Sequence, residues 1–385
     1  MWISTDDCRL ADLLAITGTT TSKADYPYAA DVVQGVVVYD AQGLSAARED
    51  GDLRRSVQAE ISAVLMDGPG IAVFSGAFAD TTVVDAVSAV FDEIITEQHA
   101  QGGAVGDHFG MPGANDRIWN ALEKLAVRAP DLFVSYYAND IIALASIAWL
   151  GPGYQITSQV NQVNPGGQAQ AVHRDYHLGF QPGGTAAEFP AHVHRLSPVL
   201  TLQGAVAHCD MPVDSGPTLY LPHSQKYELG YLAWRLPEFR EYFESHYVQL
   251  PLAKGDIVFF NPALFHAAGT NRTTDVRRMA NLLQVSSPFG RAMESVDREL
   301  VVASVYDDLR KAQVAEGWDP RSIENVIAAS AEGYSFPTNL DRDQPIGGLA
   351  PMTQAEIVRQ ALAEDWDHAT LVARLAEHLE RTRTH

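Results

Sequence analysis

The sequence predicts a mainly β fold, a jelly-roll or sandwich core with helices added before and after it. Three observations carry this prediction. Between residues 155 and 285, short stretches of β-forming residues recur with Gly, Pro and Asn turn signals between them. Outside that span, apolar residues fall at helical spacing instead. A Gly68-Pro69-Gly70 break separates the first helical pattern from the first short strand.

Residues 1–52 are rich in Thr, Ala and Asp with one candidate strand, Val36-Val37-Val38-Tyr39, and are expected to form an N-terminal extension packed on the main domain. The core domain is expected over 53–295. It opens with a helix from Leu53 to Met66, whose Val57, Ile61, Val64 and Leu65 share one face. The strand Ile71–Phe74 follows, then a second helix from Val83 to about His99, with Asp80-Thr81-Thr82 offering an N-cap. Residues 102–113 are Gly-rich and loop-like, and Asn115 to Asn120 leads into a helical region. Another helix fits Asn139 to Leu150 and ends at Gly151-Pro152-Gly153.

Strands are then expected over 155–163, 199–207, 217–221, 256–260 and 278–285, with a helical insertion near 229–248 that carries Trp234, Phe239 and Phe243. Those aromatics fit either a lid or a stripe packed on the sandwich. Residues 296–385 read as a helical extension, with helices from Val301 to Glu316 and from Thr353 to Thr382 and an irregular stretch between them. The stripe Ile357, Leu362, Trp366, Leu371, Leu375 and Leu379 fits packing on the core or self-association.

Composition narrows the function. Of 385 residues, 46% are hydrophobic and 19% charged, as in ordinary soluble proteins. The formal charge of −21 argues against a nucleic-acid partner or an anionic membrane surface and leaves a small molecule as the expected partner. Two cysteines, Cys8 and Cys209, make no disulfide framework. The first residues lack the basic and apolar regions of a signal peptide, and no apolar run reaches the ~18 residues of a membrane span. A cytoplasmic protein is expected.

The chemistry-bearing stretch is Val172-His173-Arg174-Asp175-Tyr176-His177, just after the Gly166-Gly167 break. On a strand, residues i and i+2 point the same way, so His173 and Asp175 can grip one metal ion from one side. A second stretch, Phe259 to His266, supplies another imidazole. Two His and one carboxylate with open positions opposite is the ligand set of non-haem Fe(II) oxygenases.

These residues resemble the phytanoyl-CoA dioxygenase family of Fe(II)/2-oxoglutarate-dependent oxygenases. The likeness runs from Gly68 to about Val285 and includes His173-Arg174-Asp175, the segment from Asp214 to Ser224, and Gly255-Asp256 ahead of His266. It implies a double-stranded β-helix (cupin-like) core, Fe(II) held by His173, Asp175 and His266 as the catalytic centre, and 2-oxoglutarate and O2 as co-substrates. It also implies an Arg fork for the far carboxylate of 2-oxoglutarate. Counting eleven residues past His266 lands on Arg277, which is the expected partner, with Arg278 as the rival on the other face of the strand: Arg277, Met279, Asn281 and Leu283 share one face and Arg278, Ala280, Leu282 and Gln284 the other.

Gln159 and Asn161 share one side of their strand, where they can hydrogen-bond the co-substrate or each other. The family's Ser two residues after the distal His is Ala268 here, so Thr270 or Asn271 takes that place. Where the family reads Pro-Gly-Ser-His, this chain has Leu221-Pro222-His223-Ser224 and His223 is displaced. Asp175 is retained, against the carboxylate loss of the related halogenases. His177 and His208 are candidate substrate contacts, whereas His192, His194 and His223 are rivals as metal ligands. Arg117, Trp119 and His108 lie in the Gly-rich approach, where they bind substrate or merely pack.

The expected reaction is hydroxylation of an unactivated C–H bond of a small organic molecule, amino-acid-like or a secondary metabolite, with release of succinate and CO2. The same ligands also support desaturation, cyclisation or epimerisation. A non-catalytic metal-binding jelly-roll and a cupin-type isomerase are the remaining alternatives.

Overall fold

In the computed structural model, which describes residues 1–102 and 113–384, a large mixed sheet forms the middle of the molecule. Its strands are β1 (Asp31–Val33), β2 (Val36–Asp40), β3 (Ile71–Ser75), β4 (Asn115–Ile118), β5 (Gln155–Val163), β6 (Thr201–Ala207), β8 (Ile257–Phe260) and β10 (Arg278–Ser286). They lie side by side in the order β1-β2-β3-β8-β6-β10-β5-β4, antiparallel except for the parallel pair β2 and β3. A second, short sheet pairs β7 (Leu219–Leu221) with β9 (Phe265–Ala267).

Alternation along the strands sorts the side chains into two layers. Val37, Tyr39, Ala72, Phe74, Ile156, Val160, Leu202, Val206, Ile257, Phe259, Leu283 and Val285 face one way into the largest apolar core. On β5, β6, β8 and β10 their neighbours one residue along face a cavity closed on its other side by residues around β7 and β9. Gly204 of β6 is small because a Cβ there would fall 2.5 Å from the Phe259 ring on the adjacent strand.

Helices cover the core layer. Gly51–Met66 is capped by Asp50, whose carboxylate accepts from the Asp52 and Leu53 amides, and Asp140–Leu150 is capped by Asn139 in the same way. A two-pronged ion pair, Arg54 with Asp140 at 2.7 and 3.0 Å, ties these two helices together. Thr82–Ala100, Pro130–Tyr137, Arg298–Val314 and Pro320–Ser330 complete the layer. Among the described residues no single helix is long and apolar enough to cross a membrane.

The expected elements from Leu53 to Ile71, over 83–99 and from Asn139 to Val163 appear within a residue or two, as do the strands at 256–260 and 278–285. Two expectations change, and two unforeseen elements appear. Helix exceeds strand in the described residues, so "mainly β" understates the helical layer needed to cover one whole face of the sheet. Asn115–Ile118 is an edge strand whose Asn115 pairs with Val163 and Ile118 with Val160, and it leads into the expected helix, which begins at Ala121. The irregular stretch around Pro337, Pro345, Gly347 and Gly348 is as expected, and ahead of it lies a further helix, Pro320–Ser330, started by an Asp319 cap and a proline in its first turn. The long C-terminal helix is two, Gln354–Ala363 and His368–Thr382, broken where Asp365 takes a φ of 54°. Their Ile357, Leu362, Leu371 and Leu375 pack into the main core.

Candidate metal centre

Two extended segments carry the site. The backbones of His173 and His266 lie directly opposite each other and exchange both hydrogen bonds, at 3.0 and 3.2 Å. Side chains of such a pair project from the same face, and the two imidazole centroids are 4.5 Å apart. Asp175, two residues beyond His173, points the same way, and its amide donates to the Pro262 carbonyl at 3.1 Å.

The ring orientations are set from behind. His173 Nδ1 donates to the Ala171 carbonyl at 2.8 Å and His266 Nδ1 to the Leu264 carbonyl at 2.9 Å. A carbonyl only accepts, so each ring carries its proton on Nδ1 and turns Nε2 inward. His173 Nε2 lies 3.5 Å from Asp175 Oδ1 and His266 Nε2 3.3 Å from Asp175 Oδ2. One ligand atom from each of the three residues falls within 4.8 Å of the others, a spacing that one cation can bridge. Burial alone would raise the Asp175 pKa, but the two imidazoles and the Gln203 amide that donates to Oδ2 hold its carboxyl well below the usual carboxylate range. The donor set, two imidazoles and one carboxylate, fits Fe(II).

The cavity extends from this triad across β6, β10 and β5. Arg278 lines it; Arg277 does not. Arg277 precedes the first residue of β10 and is exposed, whereas Arg278 begins the strand on the face shared with Ala280, Leu282 and Gln284, all cavity-lining. The structure thus puts Arg278, and not the expected Arg277, on the cavity wall. Arg278 is 6% exposed, and its side chain makes no hydrogen bond or ion pair among the described residues. Burial pushes its guanidinium down to about 10, still charged near neutrality.

Gln159 and Asn161 are both on the cavity wall, and they are held by other partners instead of each other: Gln159 Nε2 donates to Gln284 Oε1 at 3.2 Å, and Asn115 Nδ2 to Asn161 Oδ1 at 2.9 Å. Thr270 is off the wall. Its hydroxyl accepts from the Ala169 amide at 3.0 Å and organises the loop after the Gly-Gly break. Asn271 likewise ties Val163 and Val276 together through its amide. Ala268 lines the cavity.

Arg117 and Trp119 line the far wall, with the guanidinium 5.1 Å from the indole centroid. His108 lies outside the described residues, as does Phe109. Phe180, Gln170 and Met293 join that wall, and Gln203 beside Asp175 went unmarked in the sequence. Trp234, Phe239 and Phe243 pack in a separate apolar cluster against Phe265, away from the cavity.

The rival histidines are all engaged elsewhere. His177 Nδ1 meets Ser197 Oγ at 3.0 Å, His194 donates to the Ala186 carbonyl, His223 contacts Thr21 and Lys226, and His192 is exposed. His208 is buried on the helix side, bonded to Ser88 and Tyr136. Neither His177 nor His208 faces the cavity.

His208 makes the fold acid-sensitive. Burial lowers its pKa from 6.5 to about 3, with Asp85 opposing weakly. As pH falls below 6.5 the unfolded chain takes up this proton and the folded chain does not. Stability is therefore full above 6.5 and drains away toward about 3. The melting temperature is expected to fall over that window, and more steeply in wild type than in His208→Gln, as measured by thermal melts at stepped pH.

The family model for phytanoyl-CoA dioxygenase matches residues 66–279. Among solved structures, the chain is 17% identical to the non-heme alpha ketoglutarate dependent epimerase SnoN from nogalamycin biosynthesis, at a TM-score of 0.40, covering 62% of this chain and 84% of that one. AviO1 from Streptomyces viridochromogenes Tue57 is also 17% identical, with a TM-score of 0.43 and coverage of 60% and 96%. The carbocyclase SnoK from nogalamycin biosynthesis is 19% identical, with a TM-score of 0.41 and coverage of 57% and 80%. No curated protein matches the chain.

Proposed function

The chain belongs to the phytanoyl-CoA dioxygenase family of non-haem-iron, 2-oxoglutarate-dependent enzymes, and from that membership we propose that it hydroxylates an unactivated C–H bond of a small organic molecule. One observation carries the assignment to this cavity: the three-residue ligand set and a buried arginine without an ion pair among the described residues line the same space.

We read His173, Asp175 and His266 as the metal ligands and Arg278 as the partner of the far 2-oxoglutarate carboxylate. Bound there, Fe(II) supplies the redox chemistry that couples oxidative decarboxylation of 2-oxoglutarate by O2 to oxidation of a C–H bond. Every other task falls to the chain. The Ala171 and Leu264 carbonyls keep both imidazoles turned inward. Gln203 steadies the Asp175 carboxylate, and Asp175 contributes the one negative charge of the ligand set. Arg278 orients 2-oxoglutarate through a planar fork. The apolar lining of Ala205, Val258, Phe260 and Leu282 keeps water out, and Trp119, Phe180 and Met293 offer an aromatic and apolar bed for a substrate carbon. The mixture of such residues with Gln170 suits a secondary metabolite or an amino-acid-like compound.

The large sheet, together with the His173 segment, β9, β7 and the Val248 segment that bridges to Tyr220, supports a double-stranded β-helix. We assign that core to 53–295, with 1–52 and 296–385 as additions that pack on it.

The test is an anaerobic titration of Fe(II)-loaded protein with 2-oxoglutarate, followed by O2. A weak visible charge-transfer band, then one succinate per 2-oxoglutarate, is expected. With a true substrate, the product gains one oxygen atom; loss of two hydrogens or an unchanged mass would replace hydroxylation by desaturation, cyclisation or epimerisation. Iron binding with neither band nor succinate would sink the oxygenase assignment at this site.

A further inference from the structure

The residue between the two ligands of the His173 segment is a buried cation that the chemistry above leaves unused. Arg174 points away from the cavity, as strand alternation requires, and is only 2% exposed. No carboxylate pairs with it among the described residues. Its Nη2 donates instead to the Ser224 carbonyl at 2.6 Å and the Tyr227 carbonyl at 2.9 Å. Its guanidinium carbon lies 5.0 Å from the Phe265 ring centroid and 5.2 Å from that of Tyr231.

Phe265 immediately precedes His266, and its amide donates to Ser224 Oγ at 2.8 Å. Both ligand-bearing segments are thus tied from behind to one turn, Ser224–Tyr227. Two glycines make room for the tie. A Cβ on Gly230 would fall 1.9 Å from the Arg174 guanidinium carbon, and one on Gly179 would fall 2.0 Å from the Arg174 carbonyl oxygen. Neither glycine has a positive φ, so it is space and not torsion that requires them.

A buried charge without an acid is a poor device for stability, since apolar residues of similar volume often serve as well or better. We propose that Arg174 is a positioning residue: its fork, held by two carbonyls and two rings against Gly230, sets the spacing of His173 and Asp175 relative to His266. The proposal rests on the assignment of those three residues as metal ligands.

The experiment compares wild type, Arg174→Met, Gly230→Ala, the double variant and His266→Ala. Each is followed by apoprotein melting and by anaerobic Fe(II) titration against a competing chelator. Arg174→Met is expected to melt near wild type yet bind Fe(II) about 10- to 100-fold more weakly, the range seen when a ligand's supporting partner is lost. Gly230→Ala, which pushes a methyl into the guanidinium, should weaken Fe(II) similarly and add nothing in the Arg174→Met background. A folded Arg174→Met protein with wild-type Fe(II) affinity overturns the proposal. If Arg174→Met fails to fold, a folded Gly230→Ala protein decides on the same readout; loss of the fold in both overturns it in favour of a purely structural role. Equal Fe(II) binding by wild type and His266→Ala would instead remove the ligand assignment beneath it.

Discussion

Replacing Asp175 by Asn is expected to abolish 2-oxoglutarate turnover, with a loss of at least about 10³-fold, since losing even a ligand's supporting partner costs 10- to 100-fold. The carboxylate is the only group of the ligand set that can carry a negative charge, since each imidazole keeps an Nδ1 proton on a backbone carbonyl. An asparagine keeps the shape and one oxygen but removes the charge that offsets the cation. Its amide nitrogen would also face either the Gln203 donor or the point between the imidazoles where the metal would sit, and neither accepts from it. His266→Ala should be equally damaging for a different reason: it leaves the charge and takes away the donor that sits in β9, 4% exposed beneath the Phe260 ring. Succinate formation and anaerobic Fe(II) titration check both variants, with far-ultraviolet circular dichroism to confirm that each is folded. Turnover within tenfold of wild type in Asp175→Asn would show that the carboxylate is not a ligand.

The triad was legible because its signal is local twice over. His173 and Asp175 stand two apart on an extended stretch, and His266 ends an apolar run that forms β8 and β9. Only their meeting needed the fold, through the exchange of hydrogen bonds between His173 and His266. The arginine that faces the cavity was half legible. Parity already divided residues 277–284 into two faces, but the choice between them depends on where β10 begins, and Arg277 lies one residue outside it.

Gln203 carried a weaker trace, as a polar residue in an otherwise apolar alternation over β6. Its partner Asp175 lies on another element, so nothing in the sequence joined the two. The edge strand Asn115–Ile118 was invisible for a physical reason: Asn and Asp are poor strand formers, and this segment is extended because β5 offers it a partner. The helix at Pro320 was announced by Asp319-Pro320, a cap and a first-turn proline, and was legible in principle. The roles of Arg174 and Gly230 could not be read at all, since they depend on a turn some fifty residues downstream folding back against the strand.

The two adjacent arginines provide the sharpest test of which face of β10 meets the co-substrate. Arg278→Ala is expected to raise the KM for 2-oxoglutarate by about 10²-fold or more, the consequence of losing one partner of a buried, hydrogen-bonded charge pair at ~2–5 kcal/mol. Arg277→Ala should change it by less than about twofold, as exposed charges contribute little. Arg278 is buried yet lacks an ion pair among the described residues. Such a guanidinium bears a desolvation cost that an incoming dianion would offset, through a fork that matches a carboxylate in two parallel bonds. Arg278→Lys would keep the charge but present a single point, so it should recover only part of the loss. Iron affinity should stay near wild type in all three variants, because none touches the triad. That split, a large rise in KM for 2-oxoglutarate with Fe(II) binding retained, separates a co-substrate anchor from a residue that merely supports the sheet. If Arg277→Ala carries the defect and Arg278→Ala does not, the co-substrate lies outside this cavity, and the carboxylate partner follows the eleven-residue spacing rather than strand parity.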